Sequence, residues 1–412
     1  ASLGHEVIGI DVDQAKVDGL NRGEAPFFEP GFTELLEKAS GNLRFSTDMA
    51  DVEGARVHFL TVGTPQSPTG AADMTYVDQA AQDLTAFLGP DSVVVGKSTV
   101  PVGTASRLRD LISPTGAELM WNPEFLREGF AVQDTLSPDR LVYGIGPGDE
   151  HLVDVLDEVY RDIVDRGTPR LVMDYATAEL VKVAANSFLA TKISFINAMA
   201  EIAEAVGADV TQLADAIGHD SRIGRRFLNA GIGFGGGCLP KDIRGFVQRA
   251  EELGVGQAVE FLSDVDQINL RRRARVIEVL RQELGDLSGE TIALWGLAFK
   301  PDSDDIRDSP ALDIAESLVR AGARVRAFDP EAMGPAGARA ERDGWADSIV
   351  FADSAEDALA GADALVVATE WSVFRDWDPT GAPGRVVVDG RNCLDRDSWK
   401  AAGWQYRGMG RS

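Results

Sequence analysis

A pattern that occurs twice constrains this chain more than any other feature. Residues 4–11 (GHEVIGID) and 322–329 (GARVRAFD) each give a turn, a short apolar strand and an acid at its end. Further on, 55–64 (ARVHFLTVGT) echoes 362–369 (ADALVVAT), and 92–96 (SVVVG) echoes 385–389 (RVVVD). Short β-branched runs separated by helical stretches indicate parallel strands with crossover helices. The chain therefore reads as α/β, with two Rossmann-like, doubly wound parallel-sheet domains, one at each end. Its 412 residues are too many for a single core.

The two copies differ at their starts. Before residue 322 lie a strand (Thr291–Trp295), a loop (296–309) and a helix opening near Pro310. Residues 1–4 read as the tail of the corresponding helix in the first copy. The first strand and the glycine-rich turn of that copy are thus expected to be missing. In a nucleotide-binding fold that turn holds the pyrophosphate at a helix N-terminus. The gap reads either as truncation of a longer protein or as a real loss of cofactor binding. Between the two ends, 176–206 is a helical pattern without Pro or Gly. Leu180, Val183, Phe188, Ile193, Ile196, Met199 and Ile202 give it apolar faces on several sides, as in a helix buried between domains or against another subunit. Helical structure is expected from 176 to 284, then a turn-rich break at 285–289. The resulting domains are 1–175, 176–284 and 285–412.

Composition narrows the partners. A formal charge of −26 argues against nucleic acid and anionic membranes. It leaves room for a small anionic substrate held by a few placed cations. No apolar run approaches the roughly 20 residues of a membrane span, and no leader is read at the start. Two cysteines make no disulfide framework and fit a reducing cytoplasm. Four scattered histidines and those cysteines show no metal-ligand spacing, so no metal is expected.

Residues 231–242 read GIGFGGGCLPKD. Cys238 stands on a glycine-rich turn and is followed by Lys241 and Asp242. A nearby cation favours the thiolate, the nucleophilic form. The plain alternative is a flexible loop with a small buried cysteine. Lys182 and Asn186 lie four apart on the middle helix and share a face, either as a snorkelling lysine and a surface asparagine or as site residues. Glu124 and Glu128 share the same spacing in WNPEFLREG (121–129), where a solvated first helical turn is the plain reading. Residues 97–103 (KSTVPVG) end an apolar strand where open α/β sheets bind ligands. Lys300 and Arg307 follow the first strand of the second domain, at the place of a phosphate turn that is not GxGxxG; a polar loop is the alternative. Asp389–Asn392 end a later strand near that crevice, and the neighbouring Cys393 reads as structural.

Together, KSTVPVG (97–103), NPEFLREG (122–129), ELVKVAANSFLATKISFINAMAE (179–201), GFGGGCLPKD (233–242) and GLAFKPDSDDIRDSP (296–310) resemble the UDP-glucose/GDP-mannose dehydrogenase family. The resemblance covers the whole chain apart from its beginning. It implies an NAD domain, a helical middle that forms a homodimer, and a UDP-sugar domain. The implied reaction oxidises a primary alcohol to a carboxylate and reduces two NAD+.

The resemblance also implies roles, position by position. Cys238 looks like the nucleophile that captures the aldehyde as a thiohemiacetal, then a thioester. Lys182, Asn186 and Asp242 would surround the reacting carbon, with Lys182 stabilising an oxyanion. Asp242 or Glu124, through water near Thr99, would move protons. Substrate would meet Glu124, Phe125, Leu126, Arg127, Glu128, Lys182, Asn186, Phe227, Leu228, Asn229, Ala230, Gly231, Gly235, Lys300 and Arg391. Arg222 would reach in from a neighbouring subunit. NAD would meet Asp11, Lys16, Thr64, Thr99, Glu128, Lys241 and Arg307, an acid at Asp11 favouring NAD over NADP. GGGCLPKD fits the glucose and mannose branches, and 137–140 (SPDR) with FLNAGIGFGG leans to UDP-glucose. GDP-mannose, another nucleotide sugar, a silent nucleotide-sugar binder and a two-electron hydroxyacid dehydrogenase are the alternatives.

Overall fold

The computed structural model describes residues 1–382 and 384–411, so the domain end expected at Ser412 lies outside the described residues. Two compact units emerge. One holds 1–185 and 244–257, the other 186–243 and 258–411.

In the first unit, strands β1 (Val7–Ile10) and β2 (Leu43–Ser46) pair in parallel. Strands β3 (Val57–Leu60), β4 (Val93–Gly96), β5 (Glu118–Trp121), β6 (Leu141–Ile145) and β7 (Arg170–Asp174) form a second sheet in that order. Among the described residues, β1 and β3 each have a strand partner on one side only. All pairings are parallel except β5–β6, which touch antiparallel at Trp121 and Gly144. The link from β5 to β6 holds only the short helix Ala131–Leu136, too little for a crossover, so the chain returns in the opposite sense. Residues 1–4 form a turn, Gly4 N–H donating to the Ala1 carbonyl at 2.8 Å.

In the second unit, β8 (Thr291–Trp295), β9 (Arg324–Phe328), β10 (Ile349–Phe351), β11 (Ala364–Val367), β12 (Val386–Asp389) and β13 (Gln405–Gly408) form one parallel sheet ordered β10-β9-β8-β11-β12-β13. Every residue of β11 and β12 is buried, as a sheet covered on both faces requires. Trp295 anchors this core, with ring centroids 5.2 Å from Phe374 and 5.1 Å from Trp377. The strand order reverses between β8 and β11, and such a switch point opens a crevice at the carboxyl ends of the strands. Ser309 precedes the helix Pro310–Arg320, whose Pro at the first turn gives up no needed N–H.

A helix of 32 residues, Tyr175–Val206, contributes to both units. In the first, Tyr175 donates to the Leu119 carbonyl at 2.6 Å; in the second, Ser194 donates to that of Val265 at 2.7 Å. Phe188, Phe195 and Ile202 remain exposed at a spacing of seven residues, a stripe along one side of the helix. Among the described residues, no helix is long and apolar enough to cross a membrane.

His58 in β3 is buried, and its Nε2 has no partner among the described residues. Burial lowers its pKa, against a weaker opposing backbone hydrogen bond. The unfolded chain takes up a proton near pH 6.5 while the fold does not, so stability falls as pH drops below that value. The melting temperature of the native protein should fall more between about pH 7 and about pH 5 than that of His58→Phe. Parallel declines would contradict this assignment.

Candidate active site

The glycine-rich turn of the second unit is pressed against the loop that follows β8. A Cβ on Gly235 would lie 2.2 Å from the Asp308 carbonyl oxygen. Gly236 has φ +85° and donates its N–H to the Arg307 carbonyl at 2.8 Å. Only glycine permits that conformation and that approach. Asn269, fully buried on the helix Phe261–Leu284, grips Phe234 twice: its Oδ1 accepts the N–H at 2.7 Å and its Nδ2 donates to the carbonyl at 2.9 Å. Buried Arg273 donates to the Phe234 carbonyl at 3.1 Å and pairs with Asp308 at 2.7 Å and with Asp313. The turn is therefore rigidly tied.

Cys238 is exposed at the end of this turn, immediately before the helix Leu239–Glu252. Its carbonyl accepts Asp242 N–H at 2.9 Å, closing the first helical turn. The partial positive charge of a helix N-terminus favours a thiolate there. Asp242, buried one turn on, accepts Asn186 Nδ2 at 2.6 Å and pairs with Lys241 Nζ at 3.0 Å. The second unit thus brings Cys238, Asp242, Asn186 and Lys241 together. Cys393 is different: burial and then Asp389 push its thiol pKa well above the ordinary range, which disfavours the thiolate.

The first unit gathers a second set. Lys182, 4% exposed, donates to Glu124 Oε1 at 3.0 Å, and Glu124 Oε2 accepts Leu126 N–H at 2.6 Å. The Phe125 ring faces two cations, Arg140 at 3.8 Å and Lys182 at 5.7 Å, a cation–π arrangement that holds the ring. Thr64, just beyond β3, donates its hydroxyl to the Thr99 carbonyl beyond β4 at 2.8 Å. Asp11 follows β1 and pairs with Lys16. Partial burial raises its pKa, but the Lys16 bond and the N–H of Asp13 outweigh that and hold it low. Among the described residues no cluster of three His, Cys, Asp or Glu side chains could hold a metal.

Family models match the chain in three consecutive parts: the UDP-glucose/GDP-mannose dehydrogenase NAD binding domain over 1–164, the central domain over 176–271 and the UDP binding domain over 293–396. The chain belongs to the UDP-glucose/GDP-mannose dehydrogenase family. It is 39% identical to the UDP-glucose 6-dehydrogenase YwqF of Bacillus subtilis, covering 100% of this chain and 93% of that protein. It is 40% identical to a UDP-glucose 6-dehydrogenase of Rhizobium meliloti, covering 100% and 95%. Among solved structures, a UDP-glucose dehydrogenase of Pyrobaculum islandicum superposes with a TM-score of 0.90 at 36% identity, covering 100% and 93%. A UDP-D-ManNAc dehydrogenase of Pyrococcus horikoshii gives 0.84 at 26%, covering 100% and 94%. The protein is an NAD-dependent oxidoreductase of this family.

The two sheet-end acids differ in their surroundings. Asp329, at the end of β9 where Asp11 stands after β1, is fully buried and accepts Leu297 N–H at 2.7 Å and Ala298 N–H at 3.0 Å. It is committed to the turn after β8. Asp11 keeps its carboxylate at the surface, side chain 30% exposed, where ribose hydroxyls of NAD can donate to it. Thr64 and Thr99 lie beyond the ends of adjacent parallel strands, where a cofactor of such sheets rests. These residues fit NAD.

Several side chains marked in the sequence have partners within the protein. Arg127 binds Asp134 through two nitrogens at 2.6 and 2.9 Å. Arg391 donates to the carbonyls of Ala368, Gly233 and Phe299 at 2.8, 2.8 and 3.1 Å and so braces the glycine turn. Arg307 pairs with Asp305 at 2.6 Å, Lys300 lies 5.2 Å from the Phe299 ring, and Glu128 is half-buried. Arg222, side chain 87% exposed, pairs with Asp220 at 2.6 Å. Phe227 holds a left-handed φ of +66°, a strained conformation of a kind that clusters at functional sites. Leu228 and Ala230 are buried, and Asn229 accepts from Arg225 at 2.7 Å. Gly231 donates its N–H to Asn197 at 2.9 Å.

Sequence reading missed the residues that hold these loops. Glu29 accepts Gly129 N–H and Ala131 N–H, both at 2.7 Å, fixing the NPEFLREG loop. Asn269 and Arg273 do the same for the glycine turn. All are far from their targets in sequence, so no spacing signals them. Gly235→Ala should cost about 1–3 kcal/mol by overpacking and slow any reaction at Cys238, measured by denaturant unfolding and by the rate of thiol alkylation. Unchanged stability and alkylation would show that the turn has slack.

Proposed function

We propose that the protein oxidises C6 of UDP-glucose to a carboxylate, giving UDP-glucuronate, with two NAD+ reduced per sugar. The observation that carries this reading is buried Asp242, bonded to Asn186 and Lys241 one helical turn from exposed Cys238. Three of the four relatives cited above, including both that are about 40% identical, are named UDP-glucose dehydrogenases, which supports glucose among the nucleotide sugars.

NAD+, when bound through Asp11, Thr64 and Thr99, accepts the hydride released in each oxidation. The residues of the chain supply the rest. The C6 hydroxyl loses a proton and the carbon a hydride, leaving an aldehyde. Cys238 sulfur adds to the aldehyde carbon and the carbonyl oxygen gains a proton, giving a thiohemiacetal. Loss of that proton and of a second hydride gives a thioester on Cys238. Water then adds, the carbon–sulfur bond breaks and the thiolate is restored. Lys182 supplies positive charge to the oxyanions, and its partner Glu124 can take protons from alcohol or water. Asp242, with Asn186 orienting it, serves as the base nearest the sulfur. The covalent link matters because an aldehyde left unattached could escape between oxidations.

The segments 1–175, 176–284 and 285–412 serve as NAD, dimer-forming and UDP-sugar parts in this reading. The exposed stripe of Phe188, Phe195 and Ile202 suits burial against a second copy, and Arg222 then serves the neighbour's sugar. Neither cysteine is in a disulfide, which fits work in the reducing cytoplasm.

Turnover of UDP-glucose should yield two NADH per sugar, while GDP-mannose and N-acetylated sugars yield none. One NADH per sugar would refute the four-electron reaction, and preference for GDP-mannose would refute the substrate. Phe195→Glu should shift the protein from dimer to monomer in sedimentation; an unchanged mass would refute the stripe as interface.

A further inference from the structure

The turn at 101–105 is held from two directions, by Glu179 and by Arg249, neither of which is read as a site residue in the sequence. Glu179, 2% exposed on the long helix, accepts Gly103 N–H through Oε2 and Ala105 N–H through Oε1, each at 2.7 Å. Gly103 has φ +98° and caps the helix Thr104–Ile112, so one carboxylate satisfies donors at the open end of that helix. From elsewhere in the unit, Arg249 donates Nε and Nη2 to the Val102 carbonyl at 3.0 and 2.8 Å. Its third nitrogen is steadied by Glu252 at 2.8 Å.

Packing fixes only one end of this turn: Thr104 and Ala105 are buried, whereas Gly103 is exposed. The turn borders a cavity of about 310 Å³ lined by Pro101, Val102, Thr104, Arg107, Gln248 and Arg249, among others. Where bulk is missing, position depends on directional bonds. Two residues upstream of the turn is Thr99, whose carbonyl is already tied to Thr64. Three residues after Glu179, on the same face of the helix, is Lys182. Glu179 therefore links the Thr99 segment to the helix that carries Lys182.

We propose that Glu179 and Arg249 are positioning residues for the oxidation: by clamping the 101–105 turn they set the place of Thr99 relative to Lys182. The proposal rests on the reading above, in which Thr99 and Lys182 serve the reaction.

The test compares Glu179→Gln, Arg249→Lys, Thr99→Val and the double variant Glu179→Gln/Thr99→Val in the purified enzyme, with NAD+ and UDP-glucose. In Glu179→Gln the amide turns donors toward a backbone N–H, so the turn shifts. Misplacement of this kind costs about 10²-fold in kcat, and the dissociation constant for UDP-glucose should stay unchanged. The double variant should lose no more than the worse single one, because both act through one segment. Arg249→Lys gives the same split of kcat from sugar affinity should Glu179→Gln fail to fold. Impaired Thr99→Val beside unimpaired Glu179→Gln and Arg249→Lys would overturn the clamp alone, as would losses that simply multiply. Full activity in Thr99→Val would overturn the clamp together with the reading beneath it.

Discussion

Two backbones meet in this protein where no side chain can stand. The glycine turn before Cys238 lies so close to the loop after β8 that a methyl group at Gly235 would collide with a carbonyl oxygen. The sulfur at the end of that turn is placed in part by this contact. A turn of five glycines in seven residues would otherwise be among the most mobile parts of a chain, since glycine loses the most conformational freedom on folding. The contact, the double grip of Asn269 and the reach of Arg391 turn that freedom into a fixed perch. The glycines are present for proximity, and rigidity comes from what they approach.

The same economy appears elsewhere as buried carboxylates that bind backbone N–H groups. Glu29 and Glu179 hold loops of the first unit, and Asp329 and Asp389 hold loops of the second. Burying a carboxylate is costly unless its oxygens receive donors. Burial raises the pKa of Glu179 and Asp389, and N–H donors pull back against it. Each carboxylate orders a loop at the carboxyl end of a parallel strand, the rim where α/β sheets bind ligands. Asp11, left partly exposed at the corresponding strand end of the first sheet and paired with Lys16, is the contrast.

Much of this architecture was legible in the sequence because parallel strands carry a strong local signal. The runs VVVG at β4 and VVVD at β12 are continuous and apolar, and each became a buried strand where expected. The long helix began one residue earlier than read, at Tyr175. The cluster of Cys238, Asp242 and Asn186 could be named because its members sit in short motifs. The antiparallel step at β5–β6 could not, since direction depends on a connection and not on strand composition. The roles of Glu29, Asn269 and Arg273 were hidden because their partners are backbone atoms of distant segments. Arg127 and Arg391, read in the sequence as substrate-facing cations, also have partners within the protein that no motif signalled.

The central claim is that a sugar carbon is joined to the side chain at position 238 between two oxidations. Peptide mapping by mass spectrometry of Cys238→Ser, after incubation with UDP-glucose and NAD+, tests it most directly. The account predicts an ester carrying the mass of the nucleotide-sugar acyl group on the peptide that contains position 238. An unmodified peptide accompanied by normal formation of the sugar acid would contradict it.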